Sequence, residues 1–430
     1  MTRWTGCARL PYNRNMSSRS RLIVALSSTA IACYLTAGLV GRALGDSAYG
    51  QLALFDEVLQ LVLTSYVDPV NVDRAMRGAM LGLTEPLDGD SAYLDASEFR
   101  EYQHPSRPED ADVGLALTRR IGFLMVVAAR RGSPAERAGL RTGDLIKTID
   151  GRHTRLIGVP VGEGLLKGAP GSTVQLEVLR DSTEPQRFSL VREKPSAAAP
   201  TQTLLPDGVG LLRVSEFSDG ADAAARAELE TLRRSGAQRL VLDLRGAAFG
   251  SYDEAVRVAE LFLKGGVVTR LTPRHGETRT FNADAQRGVW HLPMAVLIDA
   301  GTSGPGEVVA AALAEGDRAK LVGSHTLGRA AVRRAIPLAE GGLFLTVARY
   351  FTPGGKPIHG EGLDPSVAAV ARRDSDQEGA PAGDPVLDKA IEVLKGNVEK
   401  KAASLDAARL GAMLPSGSIR QARTLHAIAA

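Results

Sequence analysis

The sequence predicts a multidomain chain of mixed α/β and α+β class, in which an N-terminal transmembrane helix and a helical segment precede two globular parts. Three observations predict it. Residues 22–41 run without a single charge. Near Asp112 helical periodicity gives way to short strands of alternating polarity. After a Pro/Ala-rich stretch from Lys194 to Gly208, strands and helices alternate as they do around a buried sheet. With 430 residues, 44% hydrophobic and 23% charged, the chain can bury two or three cores of ordinary size. Its formal charge of +3, from 52 basic and 49 acidic residues, leaves no electrostatic footprint for nucleic acid.

Arg3, Arg9, Arg14, Arg19 and Arg21 precede the apolar run, and no acid does. A run of that length can just span a bilayer as a helix. The arginines favour a cytoplasmic N-terminal segment, 1–21, with everything after Arg42 exported. The expected location is therefore single-pass in the inner membrane, anchored by residues 22–41, with the bulk in the periplasm or cell exterior. The small residues of "AGLVGRALG" also suit a cleaved signal peptide, but the run exceeds the usual signal length, which favours an uncleaved anchor. Cys7 and Cys33 both lie before the folded body, so neither a disulfide framework nor a Cys-ligated metal site is expected there. Met1 and Met16 are both open as starts.

The segment 46–107 reads as helical. Leu52, Phe55, Leu59 and Val62 fall on one stripe of a helix that packs on something else, and Pro69 ends that region. A short second helix, a turn at Asp88-Gly89-Asp90 and a third helix capped by Asp95 or Ser97 follow.

Over 108–196 apolar positions alternate across Leu115 and Leu117, then Leu124 and Val126, before a short helix at Pro134 to Ala138 and a strand at Leu145 to Ile149. "GSPAERAGLRTGDLIKTIDG" resembles the PDZ domain motif almost throughout. The resemblance implies capture of C-terminal peptides or unfolded chain ends by strand addition, with the terminal carboxylate in a backbone nest. Here the peptide-binding residues would be Val113, Gly114, Leu115, Ala116 and Leu117. Asp112 stands where the PDZ family usually has a glycine, and an acid there would repel a carboxylate. The groove-lining segment "VPVGEGLLKG" looks short for a helix. It carries Gly162 and Gly164, each costing roughly 1 kcal/mol of helix propensity.

The α/β core is expected over 197–372, with a C-terminal helical segment and tail over 384–430. Its elements read as strand Val209 to Val214, helix Asp219 to Ser235 with Ala221, Ala225, Leu229 and Leu232 on one face, and strand Leu240 to Leu244. Helix Tyr252 to Leu263, strands near Val267 and Thr280, strand Met294 to Ile298, helix Pro305 to Glu315, and strands near Leu321 and at Leu343 to Tyr350 complete it.

From about Leu54 to Val367, and again at "DPVLDKAIEVLK", the chain is similar to the carboxyl-terminal processing peptidases, also called tail-specific proteases. "FDEVLQLVLTSYVDP", "LVLDLR", "DEAVRVAELFL" and "VGSHTLGRAAVRRAIPLAEGGLFLTVARYFTPGGKPIHGEGLDPSV" carry the resemblance in order. It implies a serine-type peptidase fold with a Ser-Lys dyad. Laid over this chain, the family's serine falls on Gly304, its lysine on Arg329, a following glutamine on Arg333, and a donor glycine of the oxyanion loop on Phe249. A lysine can act as a general base when burial lowers its pKa, whereas a guanidinium does not deprotonate. No intact catalytic set is therefore expected, and the resemblance implies a pseudoprotease that binds peptides or proteins, pairs with an active homologous protease or shields a substrate.

The alternative is an active serine-type peptidase with a rearranged nucleophile such as Ser303, served by His325 or Ser324. A plainer reading of the same residues is a helix start, with Gly304 as cap, Pro305 at the first position and Glu307 at the third. His291 and His359 read as loop or surface histidines. None of the seven histidines has metal-site spacing, and no cofactor is expected.

Overall fold

A computed structural model of the chain describes residues 50–104, 111–180, 184–370 and 383–396. The expected anchor at 22–41 and the basic segment before it lie outside the described residues. Among the described residues no helix is long and apolar enough to cross a membrane. The chain divides into two compact units, residues 1–76 and 77–430. In the first, a helix over residues 50–65 ends ahead of Pro69, and Leu52, Phe55 and Val62 of its apolar stripe are exposed.

The second unit holds the site. Asp95, not Ser97, caps the helix Ala96–Gln103: its carboxylate accepts the N–H groups of Ser97 and Glu98, and the Glu98 side chain accepts the Asp95 N–H in return. Just before it, Ala92–Leu94 forms a strand antiparallel to Gly341–Phe351, so the segment expected to be helical also contributes to a sheet of the core. Three residues are too few for a period to show.

A six-stranded antiparallel sheet runs in the order Leu115–Arg120, Phe123–Ala129, Leu145–Ile149, Thr173–Leu179, Gln186–Val191, with Arg152–His153 beside the third strand. Leu117, Leu124, Val126, Ile146 and Leu176 alternate inward to fill its core. The groove helix Val159–Leu166 forms in spite of its two glycines. Gly162 is there for close approach: a β-carbon would lie 2.2 Å from Leu124 Cδ1, so this glycine seats the helix on the sheet instead of loosening it. Around Gly164 there is open space.

The core is a three-layer sandwich. Its sheet runs Val367–Ala368, Ala319–Gly323, Met294–Ile298, Arg239–Asp243, Val209–Arg213, Thr201–Leu205, parallel except at the last edge. Side chains alternate between two buried faces. Leu212, Leu240, Leu242, Val296 and Ile298 meet the helices Ala221–Arg234, Tyr252–Glu260 and Pro305–Glu315. Val209, Val241, Ala295, Leu297 and Val322 meet Val386, Ala390 and Leu394 of a helix over residues 385–396. Thr201–Leu205 lies in the stretch expected to be a linker. Asp207 and Gly208, both at positive φ, turn it into a hairpin with Val209–Arg213.

Candidate functional site

The buried strand Met294–Ile298 delivers the chain to Asp299, whose Oδ1 accepts the N–H groups of Gly246, Gly301 and Thr302 at 2.8–3.0 Å. Those bonds fix a tight turn, and the chain leaves it through Gly304 at φ 55° and ψ −111°. L side chains rarely adopt that conformation, and it is where a strained strand-to-helix elbow presents a nucleophile. Here the elbow presents none. A β-carbon on Gly304 would point at the Tyr252 hydroxyl, 3.2 Å away. Burial pushes the Tyr252 pKa up to about 12, so it faces the elbow as a neutral hydroxyl.

Pro305 opens the helix and Glu307 accepts the Gly304 N–H at 2.9 Å, as the helix-start reading expects. Glu307 does more than cap. Its fully buried carboxylate also accepts the Thr326 hydroxyl and the Gly328 N–H at 2.6 Å each, and the Arg329 N–H at 2.8 Å. One side chain therefore ties the elbow to the loop that carries Arg329. Burial raises the Glu307 pKa against the pull of those four donors.

Arg329, expected at the base position, donates from Nε to Asp90 Oδ2 at 2.7 Å. Arg333 pairs with the same buried oxygen, and Nη2 of Arg329 lies 4.0 Å from Glu163 on the groove helix. Burial disfavours the Arg329 cation, but Asp90 and Glu163 outweigh it and hold its pKa above the ordinary guanidinium value. It accepts no proton.

Phe249 and Gly250 form a short parallel pair with Glu216–Phe217. Positive φ in this loop falls on Gly246 and Gly250, not on Phe249, so the side chain at 249 meets no left-handed backbone. Its ring instead receives the Arg130 guanidinium at 4.7 Å. Ser303 is buried, and its Oγ has no hydrogen-bond partner among the described residues. His325 is exposed with Nε2 3.7 Å from Asp364, so no Ser303–His325 pair is assembled. Ser324 donates its N–H to the Ile298 carbonyl at 3.2 Å. His291 is exposed; His359 lies in a turn, so of its two readings loop holds and surface does not, for it is buried with Nε2 3.5 Å from Asp88. Among the described residues no cluster could hold a metal ion.

The expected nest is already in use. Gly114, at φ 76°, donates its N–H to Asp112 Oδ1 at 2.9 Å, and Arg130 lies 3.4 Å from both Asp112 oxygens. Asp112 thus serves as an internal partner for the loop as well as a charge beside it. Val113, Leu115, Leu166 and Glu163 line one side of a cavity of about 300 Å³; Phe249, Gly250 and Arg329 line the other. The groove beside Leu115 and two of the four core positions that the resemblance singles out, Phe249 and Arg329, therefore open into one space.

Residues 208–369 match the profile of Peptidase family S41, and residues 125–180 that of a PDZ domain. The carboxy-terminal processing protease CtpA of Bacillus subtilis is 26% identical over 81% of this chain and 76% of its own length. The carboxyl-terminal-processing protease of Synechocystis sp. is 32% identical over 75% of this chain and 77% of its own. The chain belongs to the carboxyl-terminal processing peptidases of family S41. A solved structure of the photosystem II D1 C-terminal processing protease superposes with a TM-score of 0.61 at 26% identity, covering 73% of this chain and 86% of that one.

Within this tail-specific, serine-type peptidase family, sequence reasoning placed Gly304, Arg329, Arg333 and Phe249 around one region, and the fold brings them there. It missed Asp90, Glu163, Tyr252 and Arg130. Asp90 lies 239 positions from Arg329, and no local pattern links them. Glu307 had a local signal, its place three residues after the cap, but not its reach to residues 326–329.

Proposed function

We propose that this family member binds peptide chain ends or partner proteins without cutting them, anchored to the membrane by residues 22–41 with its body outside the cytoplasm. The observation that carries the reading is the pairing of Arg329 with buried Asp90 opposite a glycine elbow. A Ser-Lys mechanism needs a hydroxyl at the elbow and a neutral amine beside it. Gly304 offers no side chain, and a guanidinium held by a carboxylate offers no base. The PDZ groove and its cavity fit retained binding, whether of chain ends, of an active homologous protease, or of a substrate that is shielded. The rearranged-nucleophile alternative finds little support, because Ser303 Oγ has neither a base nor an orienting acid at hand.

Treatment of the purified full-length protein with a fluorophosphonate probe, read by mass spectrometry, tests the reading. No serine adduct is expected. An adduct at Ser303 overturns the reading in favour of the rearranged site.

A further inference from the structure

We propose that the terminal carboxylate of a peptide in the PDZ groove is held by Arg329 of the core and not by the nest at Val113–Leu115. This deepens the binding reading above and rests on it. The strand Leu115–Arg120 is an edge of its sheet, paired with Phe123–Ala129 among the described strands. On its outer side the Arg119 N–H is taken by the Gly89 carbonyl at 2.8 Å, so an added strand has the stretch Leu115–Leu117 along the groove helix. Leu115 and Leu166 give the last side chain apolar walls, and the cavity continues past them to Arg329.

The two ends of that cavity differ in what they offer an anion. At the nest, the Gly114 N–H is bound to Asp112, and an incoming carboxylate meets a like charge. The cations there are Arg130, shared between Asp112 at 3.4 Å and Glu216 at 3.3 Å, and Lys167, a point charge without the guanidinium fork. At the other end, Arg329 and Arg333 converge on one oxygen of Asp90, so two positive charges share one negative. The next acid, Glu163, stands 4.0 Å from Arg329 Nη2, beyond hydrogen-bond distance. The Nη pair of Arg329 is therefore the part of the cavity wall suited to bidentate contact with a carboxylate. Glu163 is the group such a carboxylate displaces.

The test is titration of the full-length protein with an unstructured fluorescent decapeptide ending in Leu-Ala-Ala, as free acid and as amide. The acid should bind about tenfold more tightly, the scale of one charge-assisted contact. Arg329→Gln should reduce that preference to less than twofold while leaving amide affinity in place, and Arg329→Lys should restore part of it. Glu163→Gln, at a partly exposed position that leaves the Asp90 cluster intact, should strengthen acid binding several-fold. It keeps the test decisive if Arg329→Gln melts early. An acid preference that survives Arg329→Gln, or that Glu163→Gln leaves unchanged, overturns the inference, as does equal binding of acid and amide. Binding of neither peptide overturns the inference together with the binding reading beneath it.

Discussion

Arg329 and a lysine at the same position would differ less than their intrinsic pKa values imply, because Asp90 and Glu163 set the local field. Carboxylates beside a lysine keep its ammonium charged, the opposite of what a general base needs. A serine at 304 would also inherit φ 55° and a β-carbon 3.2 Å from the Tyr252 hydroxyl. Gly304→Ser with Arg329→Lys is therefore expected to yield no turnover of unstructured peptides by mass spectrometry, since groups that act as a unit fail as a unit. Turnover that survives Ser303→Ala in the double variant would show that two residues suffice. Asp90 itself bears on stability. Burial alone would raise its pKa, but Arg329 and Arg333 hold it below the usual carboxylate range. A depressed folded-state pKa contributes stability above the unfolded value of about 3.9 and loses it as pH falls through the folded value. Asp90→Asn removes the one carboxylate that both buried guanidiniums contact and should cost about 3 kcal/mol at neutral pH, read from urea unfolding. Below about pH 4 the gap between variant and parent should narrow. A constant gap down to pH 2 would contradict the assignment.

The elements show which parts of the fold a sequence can display. Strands Leu145–Ile149 and Met294–Ile298 and helix Pro305–Glu315 fall where pattern and cap residues place them, because each is specified by its own few residues. Ala92–Leu94 and Thr201–Leu205 were hidden because their partners, not their own periodicity, make them strands. The site divides the same way. Gly304, Arg329, Arg333 and Phe249 could be singled out by laying a motif over the sequence, whereas Asp90, Glu163 and Tyr252 reach them only through the fold. Gly162 and Gly164 looked alike in sequence and are opposite in structure. Gly162→Ala drives a methyl into Leu124 and should destabilise the chain by about 1–3 kcal/mol. Gly164→Ala meets open space and should stabilise the groove helix by up to about 1 kcal/mol. Urea midpoints of the two variants check this contrast, and a shift of equal sign in both would refute it.

The strand-edge groove and the core meet at Arg130 and at Glu163. Arg130, at the end of Phe123–Ala129, contacts Glu216 at 3.3 Å and lies over Phe249 at 4.7 Å, and Glu163 faces Arg329 across the cavity. On the function proposed above, a ligand in the groove would reach Arg329 and Phe249, where the side chains hold charge and offer no base. The most direct measurement incubates the full-length protein with unstructured substrates bearing apolar C-termini and follows their masses over time. The account predicts intact substrates for the parent and for Ser303→Ala alike; cleavage by the parent that disappears in Ser303→Ala would contradict it.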